Sequence, residues 1–300
     1  MSLAAALLEG PVLLDGGLAT WLEAKGQDLR GGGLWSARLL ADDPAAIVAA
    51  HGDFVRAGAR VLTTASYQAT ITGFQRHGLD VEEAQRLIRS SVDLGRTAAA
   101  AAVADGTAEG PLWIAASVGP YGAALADGSE YRGRYGLPRA ELVRFHRPRM
   151  ALLAQARPDV LALETVPDIR EAEALLSVLA ELDIPAWLSY TIDGARTRAG
   201  QEIGEAFALA AGNPAVIAVG INCSSPVDTT AAVRVAAQAG GKPVVVYPNS
   251  GERWDAATRR WVGTATELSS LVPRWVDDGA RLVGGCCRVS PMTIAKLRLM

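Results

Sequence analysis

The chemistry of this sequence is best read from its cysteines, of which 300 residues contain only three. Cys223 stands a few residues after the apolar run Val-Ile-Ala-Val at 216–219, and Cys286 and Cys287 follow Arg-Leu-Val at 281–283. Short apolar runs with β-branched residues are typical of buried parallel strands, so each cysteine position is predicted at the C-terminal end of a strand. Three thiols at two strand ends can converge on one point.

Thiolate sulfur is a preferred protein ligand for zinc, and a catalytic zinc site has three protein ligands with a fourth position open. The count therefore predicts Zn²⁺ held by Cys223, Cys286 and Cys287. The alternative is that they are small core residues, as free cysteines often are. The adjacent pair argues against it, because neighbouring strand side chains point to opposite faces. An odd cysteine count in a long chain does not suggest a disulfide framework.

Composition excludes several classes of partner. The chain is 50% hydrophobic with a formal net charge of -3, and its lysines and arginines form no basic stripe, so no nucleic-acid partner is expected. The apolar N-terminal stretch is too short to cross a bilayer and lacks the basic start of a secretory signal. We therefore expect no membrane association and a reducing, cytoplasmic location.

Apolar runs of strand length alternate with alanine- and leucine-rich stretches of helical length. The predicted strands are 12–15, 60–64, 112–117, 160–165, 186–190, 216–223, 244–247 and 281–283. The predicted helices include 36–57 with Ser36 as cap, one from Val81 with Asp80 as cap, one from Pro138, 169–182, 227–239, 264–278 and one from Pro291. Eight such units predict an α/β protein with a (β/α)8 TIM barrel as a single domain, 1–300. An open doubly wound sheet is disfavoured, because no glycine-rich dinucleotide or phosphate loop follows a strand.

Polar side chains cluster where the predicted strands end, which is the face that holds the active site in such barrels. They are Asp15, Thr63, Thr64, Ser117, Glu164, Asn222, Cys223, Asn249, Cys286 and Cys287. Each alone is also an ordinary cap or turn residue. Glu164 fits that alternative least, because burying a carboxylate after Val-Leu-Ala-Leu is costly without a cation. A bound ammonium group or a basic side chain is implied.

The histidines give no sign of a nucleophile and base pair. His51, His77 and His146 fall in predicted helices or loops away from the strand ends. No Gly-x-Ser-x-Gly elbow is present, and a cysteine nucleophile would need a histidine nearby. A metal bound by thiolates alone remains the favoured chemistry.

Short motifs spread along the whole chain identify a family. They are Asp-Gly-Gly at 15–17, Leu-Trp-Ser at 34–36, Ser-Val-Gly-Pro-Tyr-Gly at 117–122, Gly-Ser-Glu-Tyr at 128–131, Glu-Thr at 164–165, Gly-Ile-Asn-Cys at 220–223, Tyr-Pro-Asn-Ser-Gly-Glu at 247–252 and Gly-Gly-Cys-Cys at 284–287. With these the chain resembles the homocysteine S-methyltransferases that use S-methylmethionine or S-adenosylmethionine. The betaine-using branch is less similar, because it has long C-terminal extensions.

The resemblance implies methyl transfer to L-homocysteine, forming methionine, with zinc held by the three cysteines. It also implies that the turn at 15–17 and Glu164 grip homocysteine. The residues expected to bind this substrate are Asp15, Gly16, Gly17, Ser117, Glu164 and Asn222. Two long loops, 119–136 and 248–263, carry aromatic side chains, and aromatic faces attract cations such as a sulfonium. The candidates for donor binding are Tyr121, Tyr131 and Trp254, with loop packing as the alternative.

Three other functions stay open at this point. The acceptor could be selenocysteine or another small thiol, which would change only the pocket. The protein could bind zinc and thiols without turnover. It could also be one module of a larger methyltransferase fed by a corrinoid or folate partner, although no second domain is evident in the sequence.

Overall fold

The eight predicted strands form one parallel sheet that closes on itself. The computed structural model describes residues 1–29, 34–108, 110–255 and 260–297. The barrel strands, numbered β1 to β8 in chain order, are Val12–Leu13, Val61–Thr63, Trp113–Val118, Val160–Val166, Ala186–Tyr190, Val216–Asn222, Val244–Tyr247 and Ala280–Val283. Their order in the sheet is β1-β8-β7-β6-β5-β4-β3-β2. A parallel bridge between Leu14 and Val61 joins the two ends, which confirms the (β/α)8 barrel.

Helices surround the barrel and connect its strands. The described α-helices are Leu3–Glu9, Leu18–Ala24, Leu39–Asp42, Pro44–Arg56, Ile71–Arg76, Val81–Ala104, Tyr121–Leu125, Arg139–Gln155, Ile169–Leu179, Ile203–Ala208, Pro226–Gly240, Val272–Asp277 and Pro291–Ile294. Asp80 caps its helix as predicted, by accepting the Glu83 backbone N–H at 2.8 Å. In the part of the chain that the structure describes, no helix combines the length and apolar character needed to span a bilayer.

The predicted helix over 36–57 is wrong in its first third. Residues Trp35–Arg38 form a 3-10 turn, and Leu39–Asp42 is a separate short helix. A new helix starts at Pro44, where Asp43 accepts the Ala46 backbone N–H at 3.0 Å. Proline suits the first position of a helix but cannot continue the one before it. The helix cap is therefore Asp43 rather than Ser36.

The helix predicted over 264–278 is also shorter in the structure. It is a 3-10 turn, Leu268–Ser270, followed by the α-helix Val272–Asp277. The helices Leu18–Ala24, Ile71–Arg76 and Ile203–Ala208 were not predicted. Each has only six or seven residues, too few for a helical period to stand out in a sequence.

Side chains alternate between the barrel interior and the layer of helices. On β4, Val160 and Ala162 belong to the cluster inside the barrel, whereas Leu161 and Leu163 pack in the larger cluster beneath the helices. Because successive strand residues point to opposite faces, Glu164 continues the inward series. On β3, Trp113 and Ala115 point into the barrel, so Ser117, two residues further on, points inward as well. Leu3 and Leu7 of the N-terminal helix close the opposite end of this inner cluster.

The two long loops that follow β3 and β7 carry their own short elements. The first contains the helix Tyr121–Leu125 and a 3-10 turn, Ser129–Tyr131. The second contains an antiparallel hairpin that pairs Arg253–Asp255 with Arg260–Val262. Both therefore begin at the face where the parallel strands end.

Candidate metal and substrate site

The structure brings the three cysteines together. The Sγ of Cys223 lies 2.7 Å from that of Cys286 and 3.8 Å from that of Cys287, and all three sulfurs lie within 4.8 Å of one another. A tetrahedral zinc with bonds of about 2.3 Å separates its sulfur ligands by about 3.8 Å. The longer of these two distances already has this value, and the shorter would widen by about 1.1 Å, within the reach of a side-chain rotation. The thiols can therefore hold a metal ion.

Cys223 reaches this point because the backbone changes conformation directly after β6. Its φ is 50°, in the left-handed region that non-glycine residues seldom occupy. Its backbone N–H donates to the Tyr247 carbonyl oxygen at 3.2 Å, which ties the residue to the end of β7. A conformation of this kind costs about 1 to 3 kcal/mol and persists only where the surrounding structure fixes it.

Cys286 and Cys287 lie in a loop packed against the turn at 15–17. The Cys286 N–H donates to the Pro248 carbonyl at 2.7 Å, and the Cys287 N–H donates to Asn249 Oδ1 at 3.2 Å. A Cβ at Gly17 would lie closer than 3.0 Å to the Cys286 carbonyl oxygen, and one at Gly16 would meet the Val289 carbonyl in the same way. The two glycines are therefore required for the close approach of the cysteine loop.

The three thiols cannot all ionise on their own. Hydrogen bonds from Cys223 and Cys286 lower the pKa of Cys287 well below that of a free thiol. The contact with Cys223 raises the pKa of Cys286 well above it. Ionisation of one thiol is thus favoured, and its negative charge opposes ionisation of the other two. Three thiolates therefore require a bound cation.

Glu164 is a buried carboxylate without a counter-charge. It accepts hydrogen bonds from the Ser117 hydroxyl and from Tyr247. Burial raises the pKa of Glu164 to about 7 in spite of these bonds, and no ion pair to it is found among the described residues. The charge of Arg149 acts to lower this pKa, but its effect is smaller than that of burial and of the two hydrogen bonds. An ammonium group bound beside Glu164 would complete the site.

Asp15 and Asn222 are engaged by protein groups. Asp15 accepts the Thr63 backbone N–H at 2.7 Å with one carboxyl oxygen and the Thr63 hydroxyl at 2.9 Å with the other. Asn222 hydrogen-bonds to Thr165 and to Ser189 and is fully buried. Burial also raises the pKa of Asp15, and the charge of Glu164 adds to the shift. Both residues lie at the site, and their hydrogen bonds position its strand ends.

The loop aromatics differ in where they lie. The Tyr131 hydroxyl is 3.5 Å from the Cys223 sulfur, so this ring is next to the cysteines. The Tyr121 ring packs edge-on against Tyr135 and Phe145, at centroid distances of 5.2 and 4.9 Å, as the packing alternative expects. The side chain of Trp254 lies outside the residues whose side chains the structure describes.

The histidines are not part of the cysteine site. His51 is buried on the helix Pro44–Arg56, and His146 hydrogen-bonds to Glu171 at 2.9 Å. Within residues 1–29, 34–108, 110–255 and 260–297, the cluster of potential metal ligands consists of cysteines alone. General base catalysis by histidine is therefore not indicated.

Sequence reasoning missed three site residues. Tyr247 ends β7 and could have been found by its strand-end position, but a tyrosine after Val-Val-Val also suits a core. Glu130 lies in a quoted motif, yet no periodicity shows that it is buried. Tyr67 comes four residues after the end of β2; its burial raises its pKa, and its hydroxyl bonds to Thr165. In irregular segments such as those of Glu130 and Tyr67, the spacing of residues in the sequence does not predict which way a side chain points.

Comparison with known proteins agrees with this geometry. The family model described as Homocysteine S-methyltransferase matches residues 12–300. The chain is 45% identical over 292 residues to "Homocysteine S-methyltransferase" of Escherichia coli strain K12, covering 96% of this chain and 94% of that one. It is 42% identical over 302 residues to "Selenocysteine Se-methyltransferase" of Brassica oleracea var. italica, covering 95% and 87%. The metallated form of the homocysteine methyltransferase MmuM from Escherichia coli superposes with a TM-score of 0.87 at 44% identity, over 97% of each chain.

Proposed function

Because the chain belongs to the homocysteine S-methyltransferase family, we propose that it moves a methyl group from a sulfonium donor, S-methylmethionine or S-adenosylmethionine, to the thiol of L-homocysteine. The product is methionine. The observation that carries this proposal is the convergence of three thiols beside a buried carboxylate that lacks a counter-charge. Residues 1–300 are taken as one homocysteine-binding barrel domain.

Zn²⁺ is the metal that suits this donor set, and Cys223, Cys286 and Cys287 would hold it. Three soft sulfur ligands favour zinc over magnesium or calcium, which prefer oxygen. When bound, the ion supplies the positive charge that keeps the cysteines as thiolates and turns the homocysteine thiol into a thiolate nucleophile. Three free thiols stay reduced in the cytoplasm, which is the location that we propose.

Homocysteine is oriented by the strand ends around Glu164. The Glu164 carboxylate accepts the substrate ammonium, while Ser117 and Tyr247 fix the carboxylate from two sides. Formation of this ion pair offsets the cost of burying both charges. Asp15 and Asn222 support the pocket by holding Thr63 and Thr165, and the turn at 15–17 forms its wall beside the cysteine loop.

The methyl transfer step depends on the alignment of the two sulfur atoms rather than on a proton transfer. The homocysteine sulfur attacks the methyl carbon as the bond from that carbon to the donor sulfur breaks, and the electron pair of the broken bond stays on the donor sulfur. Both products are then neutral at sulfur. Holding the two sulfurs in line can lower the barrier by several kcal/mol. Tyr131 lies where its ring can face the sulfonium, an attraction of about 0.5 to 2 kcal/mol.

The test is an assay of the zinc-loaded protein with homocysteine and each of three donors: S-methylmethionine, S-adenosylmethionine and betaine. Methionine formed from one or both sulfonium donors supports the proposal, and betaine is expected to be inactive. Binding of homocysteine without methionine from any donor would favour the non-catalytic alternative.

A second acceptor is favoured by one observation, the 42% identity to a relative named "Selenocysteine Se-methyltransferase". A selenol is more acidic than a thiol and would use the same thiolate site. Parallel rates with homocysteine, cysteine and selenocysteine distinguish the two. We expect homocysteine to give the highest kcat/KM, and a higher value with selenocysteine would reassign the acceptor.

A further inference from the structure

Glu130 is a second buried carboxylate at the mouth of the barrel. It lies in the 3-10 turn Ser129–Tyr131 and is only 4% exposed. Its Oε2 has no hydrogen-bond partner in the described part of the chain, and no described basic side chain forms an ion pair with it. A buried carboxylate left in this condition is costly unless a cation joins it.

The surrounding backbone fixes Glu130 in this place. The helix Tyr121–Leu125 packs so closely on the turn that a Cβ at Gly122 would lie closer than 3.0 Å to the Glu130 backbone nitrogen. Asp127 accepts the Ser129 backbone N–H at 3.0 Å and thereby closes the start of the turn. The carboxylate therefore cannot escape to solvent without a change in the loop.

Glu130 lies close enough to the cysteines for its charge to interact with theirs. The next residue, Tyr131, has its hydroxyl 3.5 Å from the Cys223 sulfur. Burial raises the pKa of Glu130 to about 7, and the charge of Cys223 adds to this shift. In turn the charge of Glu130 acts to raise the pKa of Cys287. The Arg198 guanidinium lies over the neighbouring Tyr131 ring, 5.9 Å from its centroid, but no described basic side chain pairs with the Glu130 carboxylate, so its missing partner is a cation.

We propose that Glu130 recognises the positive charge of the methyl donor, which places the donor subsite between the turn Ser129–Tyr131 and the cysteines. This inference rests on the proposed function. Glu164 is already assigned to the ammonium of homocysteine, so Glu130 is left for the second substrate. A carboxylate stabilises the sulfonium before transfer and loses that attraction as the charge disappears. Glu130 therefore stabilises the bound donor more than the transition state, so its loss should raise the KM for the donor without lowering kcat.

Glu130→Gln tests this with little change in shape. In the zinc-loaded protein the KM for S-methylmethionine should rise about tenfold to a hundredfold, which corresponds to about 1.4 to 2.7 kcal/mol of lost attraction between the buried carboxylate and the cation. The KM for homocysteine and the zinc content should stay unchanged. Glu130→Asp should recover part of the affinity. Glu82→Gln, which removes the same charge from an exposed position, is the matched control and should have no effect.

Binding without turnover separates this inference from the proposed function. Calorimetry of wild type and Glu130→Gln would use S-methylmethionine, its carbon analogue with a neutral carbon in place of the sulfonium, and a sulfonium that lacks the α-ammonium. If Glu130 faces the sulfonium, wild type prefers S-methylmethionine to the carbon analogue and the variant loses that preference. If Glu130 faces the α-ammonium group instead, wild type prefers S-methylmethionine to the sulfonium that lacks this group, and the variant loses that preference. If wild type and Glu130→Gln show the same ligand preferences, the inference about Glu130 is refuted, even if wild type makes methionine. If wild type makes no methionine, only the proposed methyltransferase function is refuted.

Discussion

Asn222 holds Thr165 with both ends of its carboxamide: Oδ1 accepts the Thr165 backbone N–H at 2.7 Å, and Nδ2 donates to the Thr165 hydroxyl at 2.7 Å. Thr165 follows Glu164, and Asn222 precedes Cys223. Thr165 and Cys223 both have left-handed backbones, with φ of 58° and 50°. One side chain therefore links the strand end that carries the carboxylate to the strand end that carries the first thiol.

Loss of this link should lower both stability and substrate affinity. Asn222→Ala leaves the buried N–H of Thr165 unpaired and removes one partner of its hydroxyl, which also bonds to Tyr67, so the free energy of unfolding should fall by about 1 to 3 kcal/mol. Urea unfolding measures this loss, and the KM for homocysteine should rise because Glu164 is no longer fixed. Asn213→Ala removes a single bond to the Ala215 N–H in a turn and should cost less than about 1 kcal/mol. Equal losses in the two variants would contradict the role given to Asn222.

The double variant tests whether Asn222 acts through Thr165. Thr165→Val removes the hydroxyl and keeps a β-branched residue at positive φ, so it should destabilise the protein as well. If the two residues act as a pair, the combined loss in free energy of unfolding should be smaller than the sum of the single losses. Strict additivity would show that they act independently.

Each cysteine should be needed for the metal. Cys223→Ser, Cys286→Ser and Cys287→Ser replace a soft sulfur with a hydroxyl that does not ionise at neutral pH. We expect each variant to lose bound zinc and methyl transfer together, as measured by metal analysis and methionine formation. Circular dichroism should show that the fold persists. Full zinc content in one of these variants would remove that residue from the set of ligands.

The glycine at position 17 should be as important for metal binding as a ligand. Gly17→Ala places a Cβ against the Cys286 carbonyl oxygen, so the cysteine loop must shift. We expect a loss of about 1 to 3 kcal/mol in stability and weaker zinc affinity, measured by unfolding and by competition with a chelator. Gly10→Ala is the control, since its Cβ would meet nothing within 4 Å and its φ of 172° is extended. Unchanged zinc affinity in Gly17→Ala would contradict this account.

The stability of the metal-free protein should depend on pH through Glu164. Its pKa is about 7 in the folded protein and 4.5 for the ordinary group, so between these values the folded state binds more protons than the unfolded one. The free energy of unfolding therefore falls as pH rises through this window, by about 2 to 3 kcal/mol between pH 5 and 8. Comparison with Glu164→Gln measures this contribution together with the smaller change at Asp15, whose pKa the charge of Glu164 raises. Parallel pH profiles for the two would show that Glu164 ionises normally.

Local pattern in the sequence determined the fold and the place of the chemistry. Alternating apolar runs define eight strands, and parallel strands around a barrel place all their C-terminal ends on one face. The positions of Cys223, Glu164 and Cys286 at such ends therefore imply that their side chains converge. Motifs that resemble the homocysteine S-methyltransferases supplied the substrates, which periodicity cannot identify.

Tertiary structure decided what each polar side chain does at that face. Asp15 and Asn222 are predicted from the sequence to bind the substrate, and the structure adds that their side chains hydrogen-bond to Thr63 and Thr165, 48 and 57 residues away along the chain. Glu130 lies in a predicted loop, and the structure shows that it is buried where Gly122 approaches its backbone. These hydrogen bonds and this burial depend on positive φ angles and on partners distant in sequence. The spacing of residues along the chain predicts neither feature, so they are determined only when the barrel is packed.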